Sequence, residues 1–407
     1  MNDVVIVGAG PVGLMLAGEL ALAGVRPLVL DKRPEPSELP RANGVIGQAV
    51  DLLDQRGLLK GARRPPRFPF GPVTLPLARL DVPFRTVVIQ QPRLERLLAG
   101  RAAELGAEIR RGREVRSLTQ DEQGVTLQVA GERPVRARFA VGCDGGRSLV
   151  REQAGIGFPG TTDDEVLRLG HFRGRPKLGG LARGWNEFPG GRVLLTSLRP
   201  GVHIVAVREK GTLGEEGGPG EKGSLGEEGG LGEKAGGVTV GDLRAALRRV
   251  TGRDLPLGEP IWLTATVAQA RLAERYRAGR VFLAGDAAHL FPAGGSALNV
   301  GLVDAAELAA KLAAHLAGAP ARVLDAYEAE RRPQAERTLA HTRAQRALER
   351  LSGEEGAALR DLLGEVFAHP ESARHLAALL HGSTGPYAPP GAPARRRRWP
   401  ALRASRA

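Results

Sequence analysis

Two sets of residues, far apart in the chain, have types and spacing suited to chemistry on a dinucleotide. The first is Gly8-Ala9-Gly10-Pro11-Val12-Gly13, followed by Asp31. Gly8 allows a tight turn, Gly10 lets the backbone approach a pyrophosphate, and Gly13 lets a helix pack on a strand. The start of that helix offers unpaired N–H groups and a positive dipole end to the phosphates. Asp31 can accept from a ribose hydroxyl. The second set is Gly285-Asp286-Ala287-Ala288-His289, continuing through Phe291-Pro292-Ala293-Gly294-Gly295-Ser296. A carboxylate at a strand end, with glycines opening a helix, suits a polyol chain and an electron-rich ring. Asp286 can hold ribityl or ribose hydroxyls. The Gly294-Gly295 turn and the helix beginning near Ala297 can stabilise negative charge on a reduced isoalloxazine. A nicotinamide dehydrogenase needs no such second cluster. A strand–helix connection with glycines only for packing is the plainer alternative.

The elements that must position these residues are visible around them. Val4–Val7 is a short β-branched strand, Leu14–Ala23 an apolar helix ended by Gly24, and Leu28–Leu30 a second strand running into Asp31. Together they form a dinucleotide-binding βαβ unit. Phe139–Gly142 is another apolar strand. It enters a polar turn, Cys143-Asp144-Gly145-Gly146-Arg147-Ser148, and then a helix over 149–154, so the chain returns to the same sheet. Arg280–Ala284 is the buried strand that feeds the second chemical set.

Between these landmarks lie a charged, proline-rich loop reaching Arg41, helical spacing over Val45–Gly57, and a proline-interrupted β-rich stretch over 63–90 that includes Leu80 and Val82. An amphipathic helix over Leu94–Leu105 follows. By position alone, Arg41 reads as a solvated loop charge. Strands such as Arg192–Ser197 and Val202–Arg208 suggest a separate β-rich domain, an open sheet over the cofactor. The expected ends of the chain are a long helix over 297–316, a charged helix over 325–351 interrupted at Pro333, and two shorter helices. Residues 209–237 carry a twelve-residue glycine–glutamate repeat with too little apolar surface to offset its ordering entropy, and read as a disordered insertion.

Composition narrows the class. The chain has 407 residues and is 42% hydrophobic and 25% charged, as expected of a globular protein with a substantial core. The net charge of +13 comes mostly from arginine in short runs, outside any nucleic-acid motif, so no nucleic-acid partner is expected. One cysteine, Cys143, rules out an intramolecular disulfide and agrees with a cytoplasmic location. The N-terminal apolar run is needed as a strand and lacks the basic start of a signal peptide. No apolar run approaches the ~20 residues of a membrane span. No metal site is expected.

Three motifs together carry a family resemblance: Gly8–Gly13, Cys143–Ser148, and Gly285–His289 continuing through Pro292 to Asn299. The chain resembles the FAD-dependent aromatic hydroxylases, the group A flavoprotein monooxygenases related to para-hydroxybenzoate hydroxylase. Within them it is most similar to polyketide hydroxylases and rifampicin monooxygenases. The likeness runs to roughly residue 380, apart from the repeat. It implies an α/β fold: a Rossmann-like FAD-binding domain of the glutathione-reductase type with an inserted β-rich substrate domain and C-terminal helices. The expected boundaries are 1–75, 93–156 and 269–385 for the FAD-binding domain, 76–92 and 157–268 for the substrate domain, and 386–407 for a Pro/Arg-rich tail.

The resemblance also implies roles. Gly8, Gly10 and Gly13 approach the FAD pyrophosphate. Asp31 and Lys32 hold the adenosine end, with Val115 as a backbone contact. Arg41 and Gln91 match residues that contact FAD. Asp144 serves both FAD and a transiently bound NADPH or NADH. Asp286 meets the flavin's sugar chain. Pro292, with Gly295, borders the reactive flavin carbon, and Leu298 and Asn299 present backbone to the pyrimidine edge. The implied reaction is hydroxylation of an aromatic polyketide or phenol with O2, through a flavin C4a-hydroperoxide. Alternatives are inactivation of a rifamycin-type antibiotic, or flavin binding without turnover. Cys143 reads as a neighbour of the Asp-Gly turn, and Trp185, His171 and His203 as structural. Ser296 and Ala297 stand where the family often has glutamine and glycine. The thioredoxin-like C-terminal domain of many relatives is expected to be missing.

Overall fold

A computed structural model describes residues 1–382 except Pro40, 63–64, 66–67, 76–83, 175–179, 212–237 and Gly294. The glycine–glutamate repeat, the Pro/Arg-rich tail, Leu80, Val82 and Gly294 therefore lie outside the described residues. The fold is mixed α/β. It divides into two compact units, one made of Met1–Gly160 and the chain from Ala270 onward, the other of Thr161–Gln269.

In the first unit, the strands follow the order Arg277–Ala278, Val281–Leu283, Val135–Gly142, Asn2–Val7, Pro27–Asp31, Glu108–Arg111. From Val281–Leu283 to Glu108–Arg111 all neighbours are parallel. Such a sheet is covered on both faces, which is why Pro27–Asp31 and Val281–Leu283 are buried throughout instead of alternating. The register aligns the strand ends. Val7 lies opposite both Gly142 and Leu30, and Gly142 lies opposite Leu283. The turns starting at Gly8, Cys143 and Ala284, and the end of the strand at Asp31, therefore leave the sheet along one edge. That is where ligands bind in open parallel sheets.

The helix Pro11–Leu22 packs between Gln91–Glu104 and Ser296–Leu316. Gly18 faces Ala102, where a Cβ would make only an ordinary contact at 3.9 Å. On the same helix, Glu19 is buried and accepts two bonds from Arg56, at 2.8 and 2.7 Å. Arg56 follows the helix Gln48–Gln55, which this fork ties to the first. A carboxylate taken out of water requires such pairing.

The second unit is mainly antiparallel. Its strands Gly184–Phe188, Gly191–Arg199, Val202–Lys210 and Gly160–Arg173 are successive neighbours, with Glu259–Leu272 beside the last. The helix Val240–Thr251 buries Leu243, Ala246, Leu247 and Val250 against Phe172, Val193, Val205 and Val207. A capping box of Thr239 and Asp242 opens that helix, and left-handed Gly252 closes it.

Four expectations need correction. Val45–Gly57 is not one helix. Gly44–Ile46 is a strand, Gly47 turns with φ of 60°, and the helix starts at Gln48. Residues 84–92 do not join the β-rich unit, because Thr86–Val88 pairs with Gly44–Ile46 inside the first. The strands read as Arg192–Ser197 and Val202–Arg208 are longer, Gly191–Arg199 and Val202–Lys210, because their pairing continues to the turn between them. Finally, Arg322–Arg350 runs as one helix through Pro333, held by a packed face that includes buried Arg331, Ala335 and Thr338.

Candidate functional site

The three glycine turns meet in the first unit. Gly8 has φ of 106°, and a Cβ on it would fall 2.4 Å from the Cys143 carbonyl oxygen. A Cβ on Gly13 would fall 2.0 Å from the Gly8 oxygen. Gly285 and Gly301 close on the side chain of Val12, to which their Cβ atoms would approach within 2.9 and 2.7 Å. At these four positions any side chain would force a neighbour to shift. Gly10 and Gly295 differ, because nothing lies within 4 Å of where their Cβ atoms would be. Each of these two is the residue before a helix, and neither helix has an acidic residue in its first turn or a side-chain cap on its leading N–H groups. The site therefore presents two uncapped helix starts toward space that a Cβ would fill.

Asp31 is buried. Its Oδ2 accepts from Ala9 N at 2.6 Å, and its Oδ1 accepts from Arg33 N at 2.8 Å. It thus braces the glycine turn as well as closing the second strand. Lys32 beside it is exposed. The Asp31 carbonyl accepts from Arg113 N at 2.8 Å, which draws the segment leading to buried Val115 alongside. Asp144 accepts from Ser148 Oγ at 2.5 Å and from Val150 N at 3.1 Å. Burial raises this carboxyl, and those two donors oppose the rise. Both bonds tie Asp144 to its own turn and to the helix Leu149–Gln153. Burial also pushes the Cys143 thiol up, further from the thiolate form.

Asp286 is the most exposed carboxylate of the site, yet protein surrounds it closely enough to raise its carboxyl. Only the nearby His289 and Arg41 charges oppose that. An exposed acid so closely surrounded by protein can accept from hydroxyls of a bound molecule. Arg41 is exposed on its loop, and its charge reaches both Asp286 and Glu95. Gln91 donates from its backbone to the Ala42 carbonyl at 2.9 Å, so Arg41 and the start of the helix Gln91–Glu104 are held together. Pro292 is half-buried after Phe291, whose ring stacks on His289 at 4.8 Å. Gly295 is left-handed and opens the helix Ser296–Leu316. Leu298 is half-buried. Asn299 accepts from Ile46 N at 2.7 Å through Oδ1 and donates to the Gly295 carbonyl at 2.9 Å.

A buried network beneath the Gly285 turn gave no motif signal. Asp304, fully buried, accepts from His289 Nε2 at 2.7 Å, from Arg331 Nε at 2.8 Å and from Gly285 N at 3.3 Å. Burial works against its charge, yet Arg331 and His289 hold its carboxyl below the usual range. Tyr327 donates to the Leu283 carbonyl at 2.8 Å and anchors the strand feeding the turn. The clue to Asp304 in the sequence was a carboxylate set within an apolar stretch of helix, Val300 to Ala306. In the second unit, His203 faces the carbonyls of Gly174 and Leu257 at 3.1 and 2.9 Å. His171 packs on Trp262 at 5.0 Å, and Trp185 lies under Arg192.

These residues fit FAD: two uncapped helix starts, a crowded open carboxylate, and glycines that leave room for a ligand. Comparison with known proteins agrees. Residues 1–170 and 229–342 match the model of a family described as FAD binding domain. A 12-dehydrotetracycline 5-monooxygenase/anhydrotetracycline 6-monooxygenase of Streptomyces rimosus subsp. rimosus is 41% identical over 404 residues, spanning 93% of this chain and 76% of that protein. A rifampicin monooxygenase of Streptomyces venezuelae is 40% identical, spanning 92% and 77%. Among solved structures, the OxyS anhydrotetracycline hydroxylase from Streptomyces rimosus superposes with a TM-score of 0.81 at 40% identity, covering 93% of this chain and 75% of that one. A Diels-Alderase of pyrroindomycin biosynthesis gives 0.80 at 36%, covering 94% and 80%. The chain belongs to the FAD-dependent aromatic hydroxylases. It is an FAD-dependent monooxygenase. Among the described residues, no helix is long and apolar enough to cross a membrane, and no three His, Cys, Asp or Glu residues cluster as metal ligands.

Proposed function

We propose that this monooxygenase hydroxylates a fused-ring aromatic substrate of the polyketide or phenolic class, with NADPH or NADH as reductant and O2 as oxidant. The meeting of the Gly8 turn with the Cys143 and Gly285 turns, with open space before Gly10 and Gly295 and an exposed Asp286, carries the reading. The first unit serves as a Rossmann-like FAD-binding domain of the glutathione-reductase type. The β-rich unit serves as the substrate domain. The relatives that act on anhydrotetracycline and rifampicin favour a large polycyclic phenol over a small one.

Bound FAD supplies the redox chemistry with O2. The chain's own residues bind, orient and shield it. Gly8, Gly10 and Gly13 take the pyrophosphate; Asp31, Lys32 and Val115 take the adenosine end; Arg41 and Gln91 border the link between the two halves. Asp144 shapes the turn that serves FAD and the nicotinamide. Asp286 accepts from the sugar chain. Pro292 and Gly295 border the reacting ring, Gly294 and Gly295 give donors to its developing negative charge, and Leu298 and Asn299 meet its pyrimidine edge. The protein is expected to work in the cytoplasm.

The test is oxygen consumption by purified protein with NADPH or NADH, with and without anhydrotetracycline, rifampicin and simple phenols. The expected result is a yellow protein whose oxygen use rises with a polycyclic phenol and yields a product one oxygen heavier. Failure to retain or rebind FAD would sink the reading. Tight FAD binding without any oxygen use would favour flavin binding without turnover instead.

A further inference from the structure

We infer that Glu95 is a positioning residue of the cofactor site, which fixes the amide of Gln91 and balances the arginines around it. The inference rests on the proposed placement of Gln91 and Arg41 at FAD. Gln91 and Glu95 lie four residues apart on one face of the helix Gln91–Glu104. Gln91 Nε2 donates to Glu95 Oε1 at 2.8 Å. That bond decides which way the Gln91 amide points: one N–H goes inward to the carboxylate, and the carbonyl oxygen is turned away from it.

Glu95 is only 2% exposed, and its second oxygen, Oε2, has no hydrogen-bond partner among the described residues. A buried carboxylate with an unused oxygen is costly unless it serves a purpose. Three cations act on it: Arg33, Arg41 and Arg111. Arg111 has a complementary defect, because its Nη1 is a buried donor with no partner among the described residues. The three arginines reach Glu95 from different places. Arg33 also bonds Asp31, Arg41 also acts on Asp286, and Arg111 is the strand residue opposite Asp31. Glu95 thus sits where the adenosine side and the Asp286 side of the proposed FAD path share charge.

The burial that raises the Glu95 carboxyl is opposed by Gln91 and the same three arginines. A group kept only for packing would be better replaced by an uncharged isostere. A positioning residue would not. The experiment is FAD titration of apoprotein by fluorescence for wild type, E95Q, E95A and Q91A, with apoprotein melting measured alongside. E95A should raise the FAD Kd about tenfold and E95Q somewhat less, the loss of one charge-assisted hydrogen bond. E95Q should melt no lower than wild type at neutral pH. As pH falls and the Glu95 carboxylate takes up a proton, the difference in FAD affinity between wild type and E95Q should narrow. If Q91A weakens FAD binding but E95Q and E95A leave both Kd and pH profile at wild type, the inference is overturned. If Q91A also binds FAD normally, the placement of Gln91 at the cofactor is what fails.

Discussion

The two glycine turns look alike in sequence but are built differently. In the N-terminal turn the close contacts are backbone on backbone: Gly13 against the Gly8 oxygen, and Gly8 against the Cys143 oxygen. In the C-terminal turn, Gly285 and Gly301 close on one side chain, Val12. Those carbonyls belong to turns pinned to the strand ends, by Gly8 N to the Leu30 carbonyl and by Cys143 N to the Val7 carbonyl, and cannot withdraw without straining those bonds. A valine can be trimmed. Each turn also holds a glycine with open space before it, Gly10 in one and Gly295 in the other. Packing glycines and approach glycines are therefore distinct groups within each motif, and substitution should separate them.

The largest effect is expected at Gly13. Gly13→Ala needs more than the ~1–3 kcal/mol of ordinary overpacking and should yield no folded protein, as judged by soluble expression and circular dichroism. Folded G13A would end the distinction outright. Next, Asp304→Asn leaves Arg331 and His289 around an uncharged group and should cost about 3–5 kcal/mol in urea unfolding. Asp304 has a lowered carboxyl in the folded state, so its stabilisation is present above the unfolded value of about 3.9 and is lost as pH falls through the folded value. The gap between wild type and D304N should therefore be constant near neutrality and close in acid. A gap that widens in acid would contradict this assignment.

Smaller again is Gly301→Ala, at about 1–3 kcal/mol, with a specific rescue. Adding Val12→Ala should recover much of the loss, measured as a double-mutant cycle. Strict additivity would mean that the contact with Val12 is not what limits position 301. The smallest effect on stability is expected for Gly10→Ala. Gly10 has φ of −77°, a value any residue adopts, so unfolding should shift by no more than ~0.5 kcal/mol. FAD affinity should nevertheless fall about tenfold as the methyl group fills the approach. A stable G10A with unaltered FAD affinity would remove Gly10 from the site.

The sequence shows the site's frame well and its supports poorly. Gly8, Gly10, Gly13, Asp144 and Asp286 stand at strand ends, where periodicity and glycine punctuation mark them locally. The register that aligns Val7, Gly142 and Leu283 is long-range but follows from three apolar strands feeding three glycine turns. Asp304, Arg331 and Glu95 lie within helices, where a charged residue normally signals a solvent face, and only tertiary burial shows otherwise. Val45–Gly57 misleads for a related reason. Its apolar spacing suits a helix, but Gly47 breaks it so that Ile46 can reach Asn299. Within the first motif the position of each glycine already tells Gly10 from Gly13; what the sequence leaves out is what each one meets, the Gly8 oxygen for a Cβ on Gly13 and open space for one on Gly10.

Asn299 has a mechanical consequence. Its one amide ties the Gly295 carbonyl to Ile46 N. Ile46 ends the strand Gly44–Ile46, which pairs with Thr86–Val88, and Gln91 N returns to Ala42 beside that ladder. The turn at Gly295 and the helix start at Gln91 are thus linked through Asn299 and the two-strand ladder, so a change at Asn299 is felt at both.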